Sequence, residues 1–262
     1  MQNAPKVLFV PHGAPTFALN PGAAGAALAQ AAQAFATPRA ILVVSPHWET
    51  DVPTVGTATQ LETIYDFGGF DPRLYDIRYP ATGCPEAAKL VASALQAQGL
   101  PVQLDPRRGL DHGAWVPLRH MFPDADIPVV PLSIQSHAGP AQAYRVGQAL
   151  ATIAQSDILV VASGNVTHNL RDYGHARMSG GQTPAYVHSF ADWVCARLIA
   201  KDLDALINYR RASADGVRAH PSEEHLLPLF TAMGAAGAHA QAEPFFRGVS
   251  DYVIAMDGYR FH

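Results

Sequence analysis

Three runs of apolar residues, each followed by a histidine, constrain this chain more than any other feature. They are Val7-Leu8-Phe9-Val10-Pro11-His12, Ala40-Ile41-Leu42-Val43-Val44-Ser45-Pro46-His47, and Ile158-Leu159-Val160-Val161-Ala162-Ser163-Gly164-Asn165-Val166-Thr167-His168. Unbroken apolar runs rich in valine and isoleucine suit strands buried on both faces. Ser45-Pro46 is expected to end the second run, because proline cannot donate to a sheet ladder. In an open α/β sheet, ligands sit in the crevice beyond the carboxyl ends of the strands. Strands of this kind would each deliver an imidazole to that rim.

Between the runs the spacing becomes helical. Alanine-rich stretches at 23–35, 85–98 and 140–153, and an amphipathic one at 186–200, read as helices. Shorter strands are expected at 55–59, 102–104, 127–134 (broken by Pro131) and, at the end, 252–256. A polar loop is expected from His168 to Gln182. Ser222 is a candidate N-cap that would place Glu223 and Glu224 in a helical first turn. No linker or charge block divides the 262 residues. The pattern predicts a single α/β domain over 1–262, with a central mostly parallel sheet flanked by helices on both faces.

Charged residues make up 15% of the chain, against about a quarter in an average soluble protein. That favours a large interior and leaves room for a homo-oligomer interface. A formal charge of -4 gives no electrostatic footprint for nucleic acid. No apolar run approaches the ~18 residues of a membrane span. Cys84 and Cys195 have no spacing for a zinc site or a disulfide framework, and no signal peptide precedes the first strand. A soluble, cytoplasmic protein is expected, with neither membrane nor nucleic acid as partner.

Histidine is the abundant functional residue, with 12 in the chain. His12 and His47 lie just past strands expected to be neighbours, and two neutral imidazoles on rigid elements begin a site for zinc or ferrous iron. His225 is the expected third ligand and Glu224 its rival; the latter would give two histidines and one carboxylate. In Asp111-His112-Gly113 the carboxylate either orients the ring or caps a helix. His168 stands among Asn165, Thr167 and Asn169, polar groups suited to holding one tautomer. Either His112 or His168 could be a general base, and His168 a fourth ligand. The other histidines are expected mostly at the surface, with His220 a candidate support for the site. Trp48, Tyr65, Phe67 and Trp115 adjoin these positions in sequence and suit a flat, apolar substrate. Arg73, Arg78, Arg108 and Arg171 are candidates to pair with an acidic side arm.

Taken together, several segments carry a resemblance. They are His12-Gly13-Ala14-Pro15, Ser45-Pro46-His47-Trp48, Tyr65-Asp66-Phe67-Gly68-Gly69-Phe70, Leu110-Asp111-His112-Gly113-Ala114-Trp115, Ala162 to Leu170, and Glu224-His225-Leu226-Leu227-Pro228-Leu229. In this order they resemble the LigB-like superfamily of class III extradiol ring-cleavage dioxygenases, in its single-chain branch. The resemblance covers nearly the whole chain. It departs only where alanine and proline replace the serine of His-Gly-Ser-Pro and the alanine of Ser-Ala-His-Trp. It implies one divalent metal ion on His12, His47 and His225, ferrous iron for activity, with zinc able to occupy the same ligands. It further implies that His112 and His168 line the place of a DOPA-like or caffeate-like catechol, opened with O2. In that scheme His168 takes a hydroxyl proton and His112 donates to oxygen as the ring bond breaks. Two other functions fit the same residues: a zinc-dependent hydrolase or lyase, and a non-catalytic metal-binding interaction protein.

Overall fold

Successive residues of a strand point to opposite faces, so a run that is apolar at every position needs a covering layer on each side. The computed structural model, which describes residues 6–262, supplies both layers. Its strands are β1 (Val7–Pro11), β2 (Ala40–Glu49), β3 (Thr54–Gly56), β4 (Gln103–Asp105), β5 (Val129–Ile134), β6 (Ile158–Gly164), β7 (Ala242–Phe246), β8 (Val249–Ser250), β9 (Ile254–Ala255) and β10 (Gly258–Phe261). The first helices are α1 (Gly22–Gln33), α2 (Pro85–Ala97), α3 (His112–Met121), α4 (Gly139–Ala149), the single turn α5 (Ala151–Ala154), α6 (Leu170–Met178) and α7 (Ala185–Ile199). Three short turns of helix follow, α8 (Leu203–Ile207), α9 (Tyr209–Ala212) and α10 (Gly216–Ala219), then the buried α11 (Leu227–Ala236). No helix among the described residues is long and apolar enough to cross a membrane.

Eight strands form one sheet in the order β4-β3-β5-β2-β6-β1-β10-β7. The centre, β5-β2-β6-β1, is parallel, and β1, β10 and β7 close the far edge antiparallel. Val7, Phe9, Leu42, Val44, Val160 and Ala162 pack in one core with residues of α2, α4, α7 and α11. Their alternating neighbours Leu8, Val10, Ile41, Val43, Leu159 and Val161 pack in the other with α1 and α3. This is the α/β domain that the apolar runs require.

The differences from the sequence-based expectation have local causes. β1 and β2 are not neighbours: β6 lies between them, with Ala162 opposite both Phe9 and Val44. β2 does not stop at Ser45-Pro46. Its pairing with β6 ends at Val44 and its register with β5 shifts between Val44 and Glu49, so no ladder bond is asked of Pro46. Pro131 does not break β5 either. The ring faces Gly56 of the short β3, where a Cβ would lie 2.5 Å from Pro131 Cγ. The expected loop after His168 holds α6, capped by Asn169, whose side-chain oxygen accepts from the Arg171 N–H at 3.2 Å. Ser222 caps nothing: its hydroxyl binds Glu224, and α11 begins only at Leu227. The stretch 140–153 is two helices, α4 and α5. The terminal strand is β10, while 252–256 contributes only β9.

Candidate metal centre

His12 leaves the end of β1, its backbone N–H on the Gly164 carbonyl at 3.3 Å. Gly13 then turns the chain at φ +61°, in the left-handed region that favours glycine, and gives its N–H to Asn165 Oδ1 at 3.1 Å. His47 stands within the register shift of β2, between Val44 and Glu49. His225 comes from the turn before α11, where its carbonyl accepts from the Asn165 N–H at 3.0 Å. His112 opens α3. Asp111 caps that helix, accepting from the Ala114 N–H at 3.2 Å, and leaves orientation of the His112 ring to another group. Gly113 permits the close approach, since a Cβ there would lie 2.7 Å from His47 Cδ2.

These segments converge. The ring centroids of His12 and His47, His12 and His225, and His47 and His225 are 5.2, 5.2 and 5.0 Å apart. His112 is 4.0 Å from His47, and His168 stacks on His225 at 3.4 Å with 8° between planes. The donor atoms of His12, His47 and His112 lie within 4.8 Å of one another, and those of His168, Glu224 and His225 form a second such group. The expected trio of ligands straddles the two.

Four of the imidazoles are held by Nδ1. Ser163 gives its one hydroxyl proton to the Gly113 carbonyl, so it accepts from His12 Nδ1 at 3.1 Å. Asp66 takes His47 Nδ1 on Oδ2 at 3.2 Å and His112 Nδ1 on Oδ1 at 2.9 Å. Glu224 takes His225 Nδ1 at 3.0 Å. An acceptor on Nδ1 selects the tautomer whose Nε2 carries a lone pair for a metal. Nε2 of His12 and Nε2 of His47 then face each other at 3.4 Å with no proton to share. Nε2 of His225 is buried without a hydrogen-bond partner. Asn165 Nδ2 donates to His12 Nε2 at 3.1 Å, so a cation would take over that lone pair and satisfy those left on His47 and His225, and this set of neutral imidazoles fits a divalent metal.

The electrostatics agree. Burial, aided by neighbouring imidazoles, pushes His12 and His225 well below the ordinary histidine value, and burial with His220 nearby pushes His168 down to about 3. Burial also lowers His112, against the opposing pull of Asp66. For Asp66, burial alone would raise the carboxyl, but hydrogen bonds from His112 and His47 hold it well below the usual carboxylate range. Neutral imidazoles and an ionised carboxylate are the forms that metal binding needs.

The aromatic candidates divide. Phe67 meets His112 edge to face at 5.6 Å, with Tyr65 6.2 Å behind it. Trp48 is nearly buried beneath the Arg108 guanidinium. Trp115 is wholly buried, its indole N–H on the Ile64 carbonyl at 3.1 Å, so the substrate-facing place expected for it is not available. Arg108 is committed to Asp111, and Arg73 to Asp71. Arg171 lines a cavity of about 300 Å³ together with His168, Ser222 and Glu224. His120 is not a surface residue: it is half-buried with Nε2 on the Phe17 carbonyl. Asp66 and Ser163 went unrecognised as anchors, because only the fold brings Asp66 to a histidine 46 residues away. The one signal was an acidic residue inside an irregular aromatic and glycine segment.

A cluster of imidazoles that could hold a cation, at the carboxyl rim of a mostly parallel sheet, is the arrangement expected of an α/β metalloenzyme. Residues 20–260 match the family described as catalytic LigB subunit of aromatic ring-opening dioxygenase. The chain belongs to this LigB family of metal-dependent aromatic ring-opening dioxygenases. It is 38% identical to a 4,5-DOPA dioxygenase extradiol of Beta vulgaris over 99% of this chain and 97% of that one. It is also 38% identical to a protein of the same name from Escherichia coli K12, over 87% of this chain and 84% of the relative. The crystal structure of an uncharacterized protein from Escherichia coli K12 superposes with a TM-score of 0.78 at 32% identity, covering 96% of this chain and 97% of the other.

Proposed function

We propose that the protein is a ferrous-iron-dependent extradiol dioxygenase that opens, with O2, the ring of a catechol carrying an acidic arm, DOPA-like or caffeate-like. The observation that carries this reading is the clustering of the His12, His47 and His225 rings, 5.0–5.2 Å apart, with Nε2 of His12 and His47 3.4 Å from each other and Nε2 of His225 buried without a partner. The curated relatives named 4,5-DOPA dioxygenase extradiol support the substrate class. Both cysteines are free, as suits a cytoplasmic enzyme.

His12, His47 and His225 would hold the metal, which when bound supplies a Lewis acid for the phenolic oxygens and a path for electrons to O2. Glu224 acts from behind His225 as its Nδ1 acceptor rather than as a ligand. His168, a neutral ring beside the cavity, accepts a proton from one catechol hydroxyl. His112 donates its Nδ1–H to Asp66, so in the neutral form its Nε2 presents a lone pair. To donate to oxygen it first takes the proton of the second catechol hydroxyl at Nε2, and the ionised Asp66 stabilises that imidazolium. Phe67 and Tyr65 give the aromatic ring an apolar wall, and Arg171 receives the acidic arm.

The test is oxygen uptake. Protein loaded anaerobically with ferrous iron and mixed with DOPA or caffeate should consume O2 when air is admitted and form a yellow semialdehyde. No uptake with iron, together with ester or phosphate turnover by the zinc form, would replace this reading with a hydrolase.

A further inference from the structure

One carboxylate serves two imidazoles that have different tasks in the reading above. Asp66 Oδ1 lies 2.9 Å from the His112 backbone N–H and 2.9 Å from His112 Nδ1, while Oδ2 lies 3.2 Å from His47 Nδ1. We propose that Asp66 is a positioning residue that sets the tautomers of His47 and His112 together, so that both rings present Nε2 to the reacting centre. The proposal rests on the reading of His47 as a metal ligand and His112 as a proton donor.

A neutral imidazole has one N–H, and an ionised carboxylate only accepts. Both rings therefore keep the proton on Nδ1 while Asp66 is between them. Anchoring the loop requires a single oxygen, the one that binds the His112 backbone; the second oxygen is spent on His47 alone. The loop is also fixed without Asp66. Trp115 donates to the Ile64 carbonyl at 3.1 Å, the Ile64 N–H donates to the Leu110 carbonyl at 2.8 Å, and the Tyr65 hydroxyl donates to the Ile77 carbonyl at 2.7 Å. Beyond it, the Tyr75 hydroxyl reaches the Phe67 carbonyl at 3.3 Å. Buried Trp115 thus acts on the site from behind, through the loop that carries Asp66.

Asp66→Asn separates the two arms. The amide keeps one acceptor and turns the other oxygen into a donor. Two N–H groups of His112 converge on Oδ1, so the amide oxygen takes that place and the NH2 faces His47 Nδ1. Two donors cannot face one another, so His47 moves its proton to Nε2 and loses the lone pair that binds metal. His112 keeps its tautomer.

The test measures zinc affinity by competition with a chromophoric chelator, in wild type, Asp66→Asn, His47→Ala and the double variant. Loss of an outer partner of a metal-bound histidine lowers affinity by about 10–100-fold, and that is expected for Asp66→Asn. In the His47→Ala background the same substitution should change affinity by no more than about twofold. A purely structural role would lower affinity in both backgrounds alike and would overturn the proposal, as would wild-type affinity in Asp66→Asn. Nitrogen NMR of the metal-free wild type is a second readout that needs no folded Asp66 variant. His47 and His112, assigned by the signals lost in His47→Ala and His112→Ala, should both carry the proton on Nδ1. A proton on Nε2 of either ring overturns the proposal while leaving the ligand set standing. Wild-type zinc affinity in His47→Ala instead overturns the ligand set, and the proposal with it.

Discussion

Asp111→Asn should weaken the fold far more than a near-isosteric change on a helix cap ordinarily does. Asp111 is 2% exposed; its Oδ1 accepts from the Ala114 N–H and, at 2.5 Å, from the Ser45 hydroxyl, while Oδ2 accepts from the Arg108 guanidinium at 2.5 Å. The amide oxygen of asparagine retains the first two bonds, and its NH2 is then pressed against Arg108. Removing one partner of a buried ion pair costs about 3–5 kcal/mol. The Arg108 side chain keeps 18% exposure, so water screens part of this, and the lower end, about 3 kcal/mol, is the expectation. Arg108 has little else to turn to: its Nε is already buried without a partner, and the His47 carbonyl lies 3.3 Å from its terminal nitrogen. Such a loss is a large share of a total stability of about 5–15 kcal/mol. Urea unfolding should show the midpoint falling by about 1 M, with m unchanged near 3 kcal/mol/M. In an Arg108→Met background the same substitution should cost at least about 2 kcal/mol less. A loss below about 1 kcal/mol, or simple additivity with Arg108→Met, would refute the argument that the charge pair carries the effect.

Three further outcomes follow from the site. His168→Ala should still bind zinc but lose about 10²–10⁴-fold in turnover, the usual contribution of a general base; loss of zinc in this variant would make His168 a ligand. Zinc at a hundredfold excess over its Kd should stabilise the folded chain by about 2.7 kcal/mol, a rise in Tm of about 5 °C for a domain of this length. A chelator should reverse the rise and His225→Ala should abolish it; an unmoved wild-type Tm would count against a cation site. His220 is buried with Nε2 on the Val166 carbonyl, and burial pushes its pKa down to about 4. Its folded value lies below its unfolded one, so its contribution is complete above about pH 6.5 and fades as pH falls toward about 4, by about 3 kcal/mol in all. His220→Phe should flatten that part of the stability profile, and an unchanged slope would refute the assignment.

The strands that build the site were legible because Val7–Val10, Ala40–Val44 and Ile158–Ala162 are apolar at every position, which only a sheet covered on both faces explains. The histidines directly following such runs inherit their placement, so His12 and His47 could be read with little beyond the strand ends. Sheet order could not be read that way. Parallel neighbours are joined through helices, and nothing local to β1 or β2 says that β6 enters between them. Pro46 and Pro131 misled because a missing N–H matters only where a ladder bond is demanded, which depends on the partner strand. Glu223 and Glu224 looked like helix-end charges, yet Glu224 is the acceptor of His225 Nδ1 in a turn. Asp66 stayed hidden because its partners are set by tertiary contact alone.

The residues of the candidate cation site arrive from every quarter of the chain: 12, 47, 66, 163, 224 and 225. No fragment released by a single cut in the middle would contain them all. Metal uptake should therefore work as a report of completed assembly, silent in partly formed chains and switched on only when the last turn before α11 docks. Rearranging the order of segments by circular permutation at an exposed loop should preserve it, since what the ion senses is the closed arrangement and not the sequence in which its parts were made.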